Sequence, residues 1–84
     1  MEEKLIGKVT HYFGQPSVGI IELEDMLNVG DTIHIKGAHD DFTQEVKSMQ
    51  IEHENIEEAK SGDVVGIKVT SRVHENDKVF KVNE

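Results

Sequence analysis

Two short clusters combine histidine with carboxylates, the side chains that bind divalent transition-metal ions. One is His-Asp-Asp at residues 39–41, and the other is His-Glu-Asn-Asp at residues 74–77. Imidazole and carboxylate together suit Zn²⁺ or Mn²⁺. Neither cluster has a recognised metal-ligand spacing, and Asp and Asn are common turn residues. We therefore interpret both segments as loops and predict no metal ion.

Nucleotide binding and nucleophilic catalysis find no support in the remaining motifs. Residues 14–19, Gly-Gln-Pro-Ser-Val-Gly, have the glycine spacing of a phosphate-binding loop, but Ile20 and Ile21 stand where Lys and Ser or Thr are required. The chain also lacks a Gly-x-Ser-x-Gly motif, and no serine has a histidine–acid arrangement that the sequence can indicate. We predict no catalytic residue, no cofactor, no bound nucleotide and no enzymatic activity.

Basic residues on alternating positions suggest a binding surface instead. Lys8, Lys36 and Lys68 share the outward parity of three expected strands. They could line up across the molecule with His34 and Tyr12, which are also expected outside. Single-strand binders combine such basic residues with exposed aromatic rings. This stripe is the predicted surface for RNA or another partner, and a scatter of solubilising lysines is the alternative.

The overall charge restricts the partners. There are 17 acidic and 9 basic residues, for a formal charge of −8. Because nucleic-acid affinity depends largely on neutralising phosphates, an acidic chain starts at a disadvantage. The acidic residues are dispersed in small groups, which is typical of a solvated surface; a surface for a basic partner is the alternative.

Composition also bears on the compartment. The chain has no cysteine, which excludes disulfides and thiolate metal sites and fits a reducing cytoplasm. The N-terminus has acidic residues where a secretory signal has basic ones. No apolar run approaches the ~20 residues that span a bilayer. We expect a cytoplasmic protein with no membrane interaction.

The positions of these residues depend on a series of short strands. Val65, Ile67 and Val69 alternate with outward positions, which is the two-residue period of a strand with one buried face. The same reasoning predicts six strands, at residues 5–13, 18–23, 32–36, 42–53, 64–70 and 78–82. The apolar parity changes within the fourth strand, so we expect a bulge or bend at Lys47 and Ser48.

Other segments complete the expected fold. Residues 55–60 could form one helical turn, too short to be stable alone. Leu5 and Val9 are expected in the core, together with the three phenylalanines Phe13, Phe42 and Phe80. Many short strands separated by Gly-Asp turns predict an all-β fold: one closed or nearly closed six-stranded antiparallel β-barrel, comprising residues 1–84 as a single domain.

Four turn motifs follow one another along the chain: Gly-x-Val at 7–9, Leu-x-Val-Gly-Asp-x-Ile-x-Ile-x-Gly at 27–37, Val-x-Ser-Met at 46–49 and Ala-x-x-Gly-Asp-x-Val-Gly-Ile at 59–67. This ordered set resembles the β-barrel second domain of translational GTPases such as elongation factor Tu and the bacterial initiation factor. Small free-standing proteins called translation elongation factor-like are the nearest likeness. Residues 49–52 and 77–82 also resemble the C-terminal barrel domain of collagenase-like peptidases.

The resemblance implies a binding module without catalysis. In the translation factors this barrel helps hold the aminoacylated end of tRNA, and Gln50 matches a position near the terminal adenosine. The main prediction is therefore a module that contacts tRNA, the ribosome or a translation-related protein, through Gln50 and the stripe of basic and aromatic residues. The alternative is a protein-interaction or accessory subunit related to the barrel of collagenase-like peptidases.

Overall fold

Strands make up the regular secondary structure of the chain. The computed structural model describes residues 2–15 and 17–83. The strands are β1 (Glu2–Gly14), β2 (Ser17–Leu23), β3 (Leu27–Asn28), β4 (Thr32–Lys36), β5 (Asp41–Glu45), β6 (Met49–Ile51), β7 (Glu54–Ile56), β8 (Glu58–Ala59), β9 (Val64–Lys68) and β10 (Lys78–Asn83). Within those two described ranges, no helical segment has the length and apolar character needed to cross a membrane.

Eight of these strands form one antiparallel sheet. Its order is β5-β4-β10-β1-β2-β9-β6-β7, and a separate ribbon pairs β3 with β8. The predicted all-β class is confirmed, but the six-stranded closed barrel is wrong. The sheet has eight strands, and its outer strands β5 and β7 do not pair with each other in the described part of the chain. The Gln44 side chain on β5 bridges across to the end of β9 instead, donating to the Lys68 carbonyl at 2.9 Å and accepting from the Thr70 amide at 2.9 Å.

The expected fourth strand is divided in two, which accounts for part of the higher strand number. Residues 46–48 separate β5 from β6, at the position where the change of parity predicted a bend. Val46 leaves the sheet to pair with the turn after β3: its amide donates to the Asp31 carbonyl and its carbonyl accepts from the Gly30 amide, both at 2.8 Å. The side chain of Val46 is fully buried there.

The segment at residues 55–60 is extended, so the predicted helical turn is wrong. Residues 54–56 form β7, which pairs with β6, and Ala59 on β8 pairs with Leu27 on β3. Both members of that second pair are buried. Tertiary burial of a short apolar segment therefore decides its conformation, since one isolated helical turn has little stability of its own.

The buried apolar side chains form one cluster on the inner face of the sheet: Ile6, Val9, Ile21, Leu23, Leu27, Ile33, Ile35, Val46, Met49, Ala59, Val65, Ile67, Val69, Val73 and Val79. The alternation predicted for residues 64–69 is confirmed, because Val65, Ile67 and Val69 are buried while Val64 is exposed. Phe42 and Tyr12 are half-buried and pack against the cluster.

The alternation predicted for β1 is wrong at both ends. Leu5 and Phe13 are exposed, and Ile6 is buried in their place. The pairing register shifts twice along β1, once toward β10 and once toward β2, and each shift reverses which parity faces inward. Gly7 lies at one shift, where a β-carbon would collide with the backbone carbonyl of Glu22.

Two adjacent valines on β9 provide a matched test of this arrangement. Val65 is 0% exposed and Val64 is 47% exposed. We expect Val65→Ala to lower the free energy of unfolding by about 2 kcal/mol, because it removes buried methyl groups and leaves a cavity. Val64→Ala should change it by less than about 0.5 kcal/mol. Urea denaturation followed by circular dichroism measures both, and equal losses would contradict the assigned faces.

Candidate functional site

The structure brings two of the predicted lysines into one row across the sheet. Lys8 on β1 pairs with Lys78 on β10, and Lys78 pairs with Lys36 on β4. Acidic residues end the row on both sides: Asp41 lies opposite Lys36, and Glu22 lies opposite Lys8. The row is therefore a short positive strip of three lysines. A contact between it and a partner stays a prediction.

The other predicted site residues lie elsewhere. Lys68 on β9 is opposite Val18 on β2, outside the lysine row. Gln50 on β6 is opposite Gly66 on β9, and its side-chain amide donates to Asn55 at 3.0 Å. Tyr12, expected outside, is half-buried against the core. The six residues predicted from the sequence thus do not line up in one row, and their role in binding stays a prediction.

His34, the remaining member of that set, bridges two carboxylates. Its Nδ1 lies 2.9 Å from both carboxylate oxygens of Glu3, its Nε2 contacts Asp41, and the ring is 16% exposed. The hydrogen bonds to Asp41 and then to Glu3 raise the pKa of His34, because both favour the charged imidazolium. The hydrogen bond between His34 and Asp41 also lowers the pKa of Asp41. His34 thus ties β4 to β1 and β5 and does not offer a free ring nitrogen.

A groove on the outer face of the sheet was not identified from the sequence. It has a volume of about 750 Å³ and lies over β2, β9 and β6. Phe13 and Val64 are exposed in it, while Val18, Ile20 and Ile51 are half-buried. The absence of a side chain at Gly66 lets Val18 and Ile20 lie directly over the β9 backbone. Both faces of β2 and β9 therefore carry apolar side chains, which is unusual for a strand pair with one solvated face.

The rim of the groove is a tight turn with an uncommon backbone. Glu52 and His53 connect β6 to β7 and both have positive φ, 50° and 68°. Two such residues in a two-residue hairpin loop are the requirement of a type I′ turn, which usually contains Asn and Gly. The sequence has no Asn-Gly here, so the turn could not be recognised. Of the described residues lining the groove, Glu52 and Asp63 are acidic and none is Lys or Arg.

The two histidine–acid loops interpreted as turns come together at one end of the sheet. Asp40 precedes β5, and His74 and Asp77 precede β10. Nδ1 of His74 lies 2.7 Å from Oδ2 of Asp40, and the His74 amide donates to Oδ2 of Asp77 at 2.9 Å. Asp77 is 3% exposed. These three residues are named the Asp40–His74–Asp77 cluster below.

Burial and hydrogen bonding separate the two carboxyl groups of this cluster. Burial, followed by the hydrogen bond to Asp40, raises the pKa of Asp77. The hydrogen bond from Asp77, supported by the one from His74, lowers the pKa of Asp40. The pKa values of these two neighbouring carboxyl groups are therefore shifted in opposite directions.

The bridge at His34 makes stability depend on pH. A pKa raised above the ordinary value of 6.5 contributes stability that is complete below pH 6.5 and is lost as pH rises through the pKa of the folded state. We expect the midpoint temperature of thermal unfolding to fall in the wild type as pH rises from 6.5 through the folded-state pKa of His34. It should fall less in His34→Asn. His53→Asn is the control, because Asn tolerates the positive φ of that exposed turn. An unchanged pH dependence in His34→Asn would contradict the bridge.

Comparison with known proteins relates this fold to peptidases. No protein-family model matches the chain. An uncharacterized protease of Methanocaldococcus jannaschii is 44% identical over 80 residues, which cover 94% of this chain and 20% of that protein. The chain therefore spans about a fifth of the length of this curated relative.

Solved structures show the same fold. The C-terminal domain of a protein from Geobacillus thermoleovorans classed as a U32 peptidase superimposes with a TM-score of 0.89 at 19% identity, covering 95% of this chain and 93% of that one. The selenomethionine variant of that domain gives 0.86 at 18% identity, covering 90% and 96%.

These relatives correct the main functional prediction. The predicted translation-factor module that contacts tRNA or the ribosome is wrong, because the relatives found in sequence and in structure are peptidase proteins. Turn motifs specify local backbone conformation and not a binding site, so they do not determine function. The chain is similar to one segment of a protease and has the fold of the C-terminal domain of a U32 peptidase.

Proposed function

We propose that this chain is a non-catalytic accessory domain that docks onto the remaining polypeptide of a U32-type peptidase. The observation that carries the proposal is the 44% identity with a protease of which this chain matches only 20%. The matched segment of that protease corresponds to nearly all of this chain, and we expect it to be a domain joined to a larger catalytic part. The fold of a U32 peptidase C-terminal domain supports the same assignment.

The outer groove is the docking surface in this proposal. Exposed Phe13 and Val64 and half-buried Ile20 form an apolar area on the sheet face opposite the core. Apolar area of this kind on the outside of a small domain is typical of an interaction site. Because Glu52 and Asp63 are the charged residues at its edge, we infer that the occupant is an apolar segment flanked by basic residues.

Side-chain chemistry supports a non-catalytic role. In the described ranges, the hydrogen bonds and ion pairs of histidine side chains join carboxylates: His34 contacts Glu3 and Asp41, and His74 contacts Asp40. No histidine in these ranges activates a serine or threonine hydroxyl, and the sequence has no cysteine. Residues 2–15 and 17–83 thus show no recognisable nucleophile–base pair.

Binding to the rest of the relative tests the docking role. The Methanocaldococcus jannaschii protease from which the matched segment has been deleted is titrated with the 84-residue chain by calorimetry. We expect saturable binding, and we expect Val64→Glu to weaken it at least about tenfold, because docking would bury an unpaired carboxylate.

Met26→Glu is the matched control for this variant. Met26 is 45% exposed against 47% for Val64, and it lies outside the groove. The affinity of Met26→Glu should equal that of the wild type. Circular dichroism of the truncated protease before titration verifies that it is folded. Absence of binding to the folded protein, or equal loss in both variants, would refute docking through the groove.

Catalysis is tested on the chain alone. Incubated with fluorescently labelled casein, the purified chain is expected to release no more peptide than buffer does. Hydrolysis that copurifies with the chain, and that responds to substitutions within it, would overturn the non-catalytic assignment.

A further inference from the structure

The Asp40–His74–Asp77 cluster is assembled by strand pairing. β10 and β4 are antiparallel neighbours whose ladder ends with Lys78 opposite Lys36. Asp77 directly precedes Lys78 on β10, and Gly37 directly follows Lys36 on β4, so the two residues adjoin this end of the ladder. A β-carbon at Gly37 would lie 2.6 Å from the carboxyl carbon of Asp77, so only glycine leaves room for this carboxylate. The cluster therefore occupies a fixed position at the end of the sheet.

The three side chains offer a mixed set of ligand atoms. One nitrogen or oxygen from each residue lies within 4.8 Å of the others. Ligand atoms around a tetrahedral zinc ion, with bonds of about 2.0–2.2 Å, lie about 3.4 Å apart. Because Asp77 is held beside Gly37, His74 and Asp40 would have to rotate toward it to close that difference. The ring of His39 lies 5.5 Å from that of His74, within reach as a fourth ligand.

The cluster places two carboxylates close together where little solvent reaches them. Asp77 is 3% exposed and the Asp40 side chain is 10% exposed, and one carboxylate oxygen of each lies within 4.8 Å of the other. In residues 2–15 and 17–83, no lysine or arginine forms an ion pair with either group. Two adjacent carboxylates with little solvent around them are destabilising unless a positive charge compensates them, and His74 is the cation-forming side chain that contacts Asp40. A proton or a metal ion can supply that charge.

We propose that Asp40, His74 and Asp77 bind one divalent transition-metal ion of the Zn²⁺ class, through one oxygen of each carboxylate and Nδ1 of His74. The mixture of nitrogen and oxygen favours such an ion over Mg²⁺ or Ca²⁺, which prefer oxygen alone. The His74 side chain is 43% exposed, so one member of the cluster is open to solvent. The bound ion connects the loop before β5 to the loop before β10. This site does not depend on the docking role.

Zinc titration of the full chain tests the site. After treatment with a chelator, the wild type is expected to bind one equivalent of ZnCl₂ in calorimetry. Asp40→Asn and His74→Gln should each weaken binding at least about tenfold, since each removes one ligand. The ¹⁵N resonance of His74 Nδ1 should shift on addition of zinc, which reports coordination directly.

Two matched variants separate this site from adventitious binding. Asp41→Asn makes the same aspartate-to-asparagine change one residue away from Asp40. His11→Gln makes the same histidine-to-glutamine change at another histidine that is paired with a carboxylate, that of Glu75. Both should retain the wild-type affinity. If Asp40→Asn does not fold, His74→Gln decides alone, because that side chain is 43% exposed. No saturable binding, or equal affinity in the wild type and the folded cluster variants, would mean a hydrogen-bonded network only and would overturn the proposal.

Discussion

Insertion of the last strand between β1 and β4 is the constraint on which the other features depend. Val79, fully buried on β10, lies opposite Gly7 on β1 and Ile35 on β4. Without β10, both neighbouring strands would present an edge of unpaired backbone groups beside the core, which is costly where water cannot replace the lost hydrogen bonds. Pairing of the two ends of the chain thus completes both the ladder and the apolar cluster.

The same pairing organises the charges of an acidic protein. It places Lys78 between Lys8 and Lys36, so three like charges occupy adjacent strands and are flanked by carboxylates at both ends of the row. At the end of the ladder it brings Asp77 into the space beside Gly37. Like charges opposite each other in a sheet oppose pairing, so burial around Val79 must outweigh the repulsion between the lysines.

The neighbouring strands β2 and β9 carry apolar side chains on both faces of the sheet. Ile21 and Val65 face the core, whereas Ile20 and Val64 face outward. A sheet that encloses a core on one side ordinarily places polar residues on the other. The docking role that we propose accounts for this departure, because a docked polypeptide would cover the apolar outer face.

Local sequence patterns determined the all-β class and much of the strand positions. The two-residue period at 64–69 and the Gly-Asp turns depend on neighbouring residues only, and Gly30 and Gly62 do adopt the positive φ that such turns use. The turn motifs likewise indicated a β fold without indicating which function it serves.

Tertiary structure alone decided the inward parity of β1, the hairpin at Glu52 and His53, and the meeting of Asp40 with Asp77. Two register shifts on β1 arise from its pairing with two different strands, so no local period could predict that Ile6 is buried. The acidic loops were identified as possible ligands, but they are more than thirty residues apart and share no spacing. Their proximity follows from the β4–β10 ladder, because side chains distant along the chain meet only where backbone hydrogen bonds and burial hold their strands together.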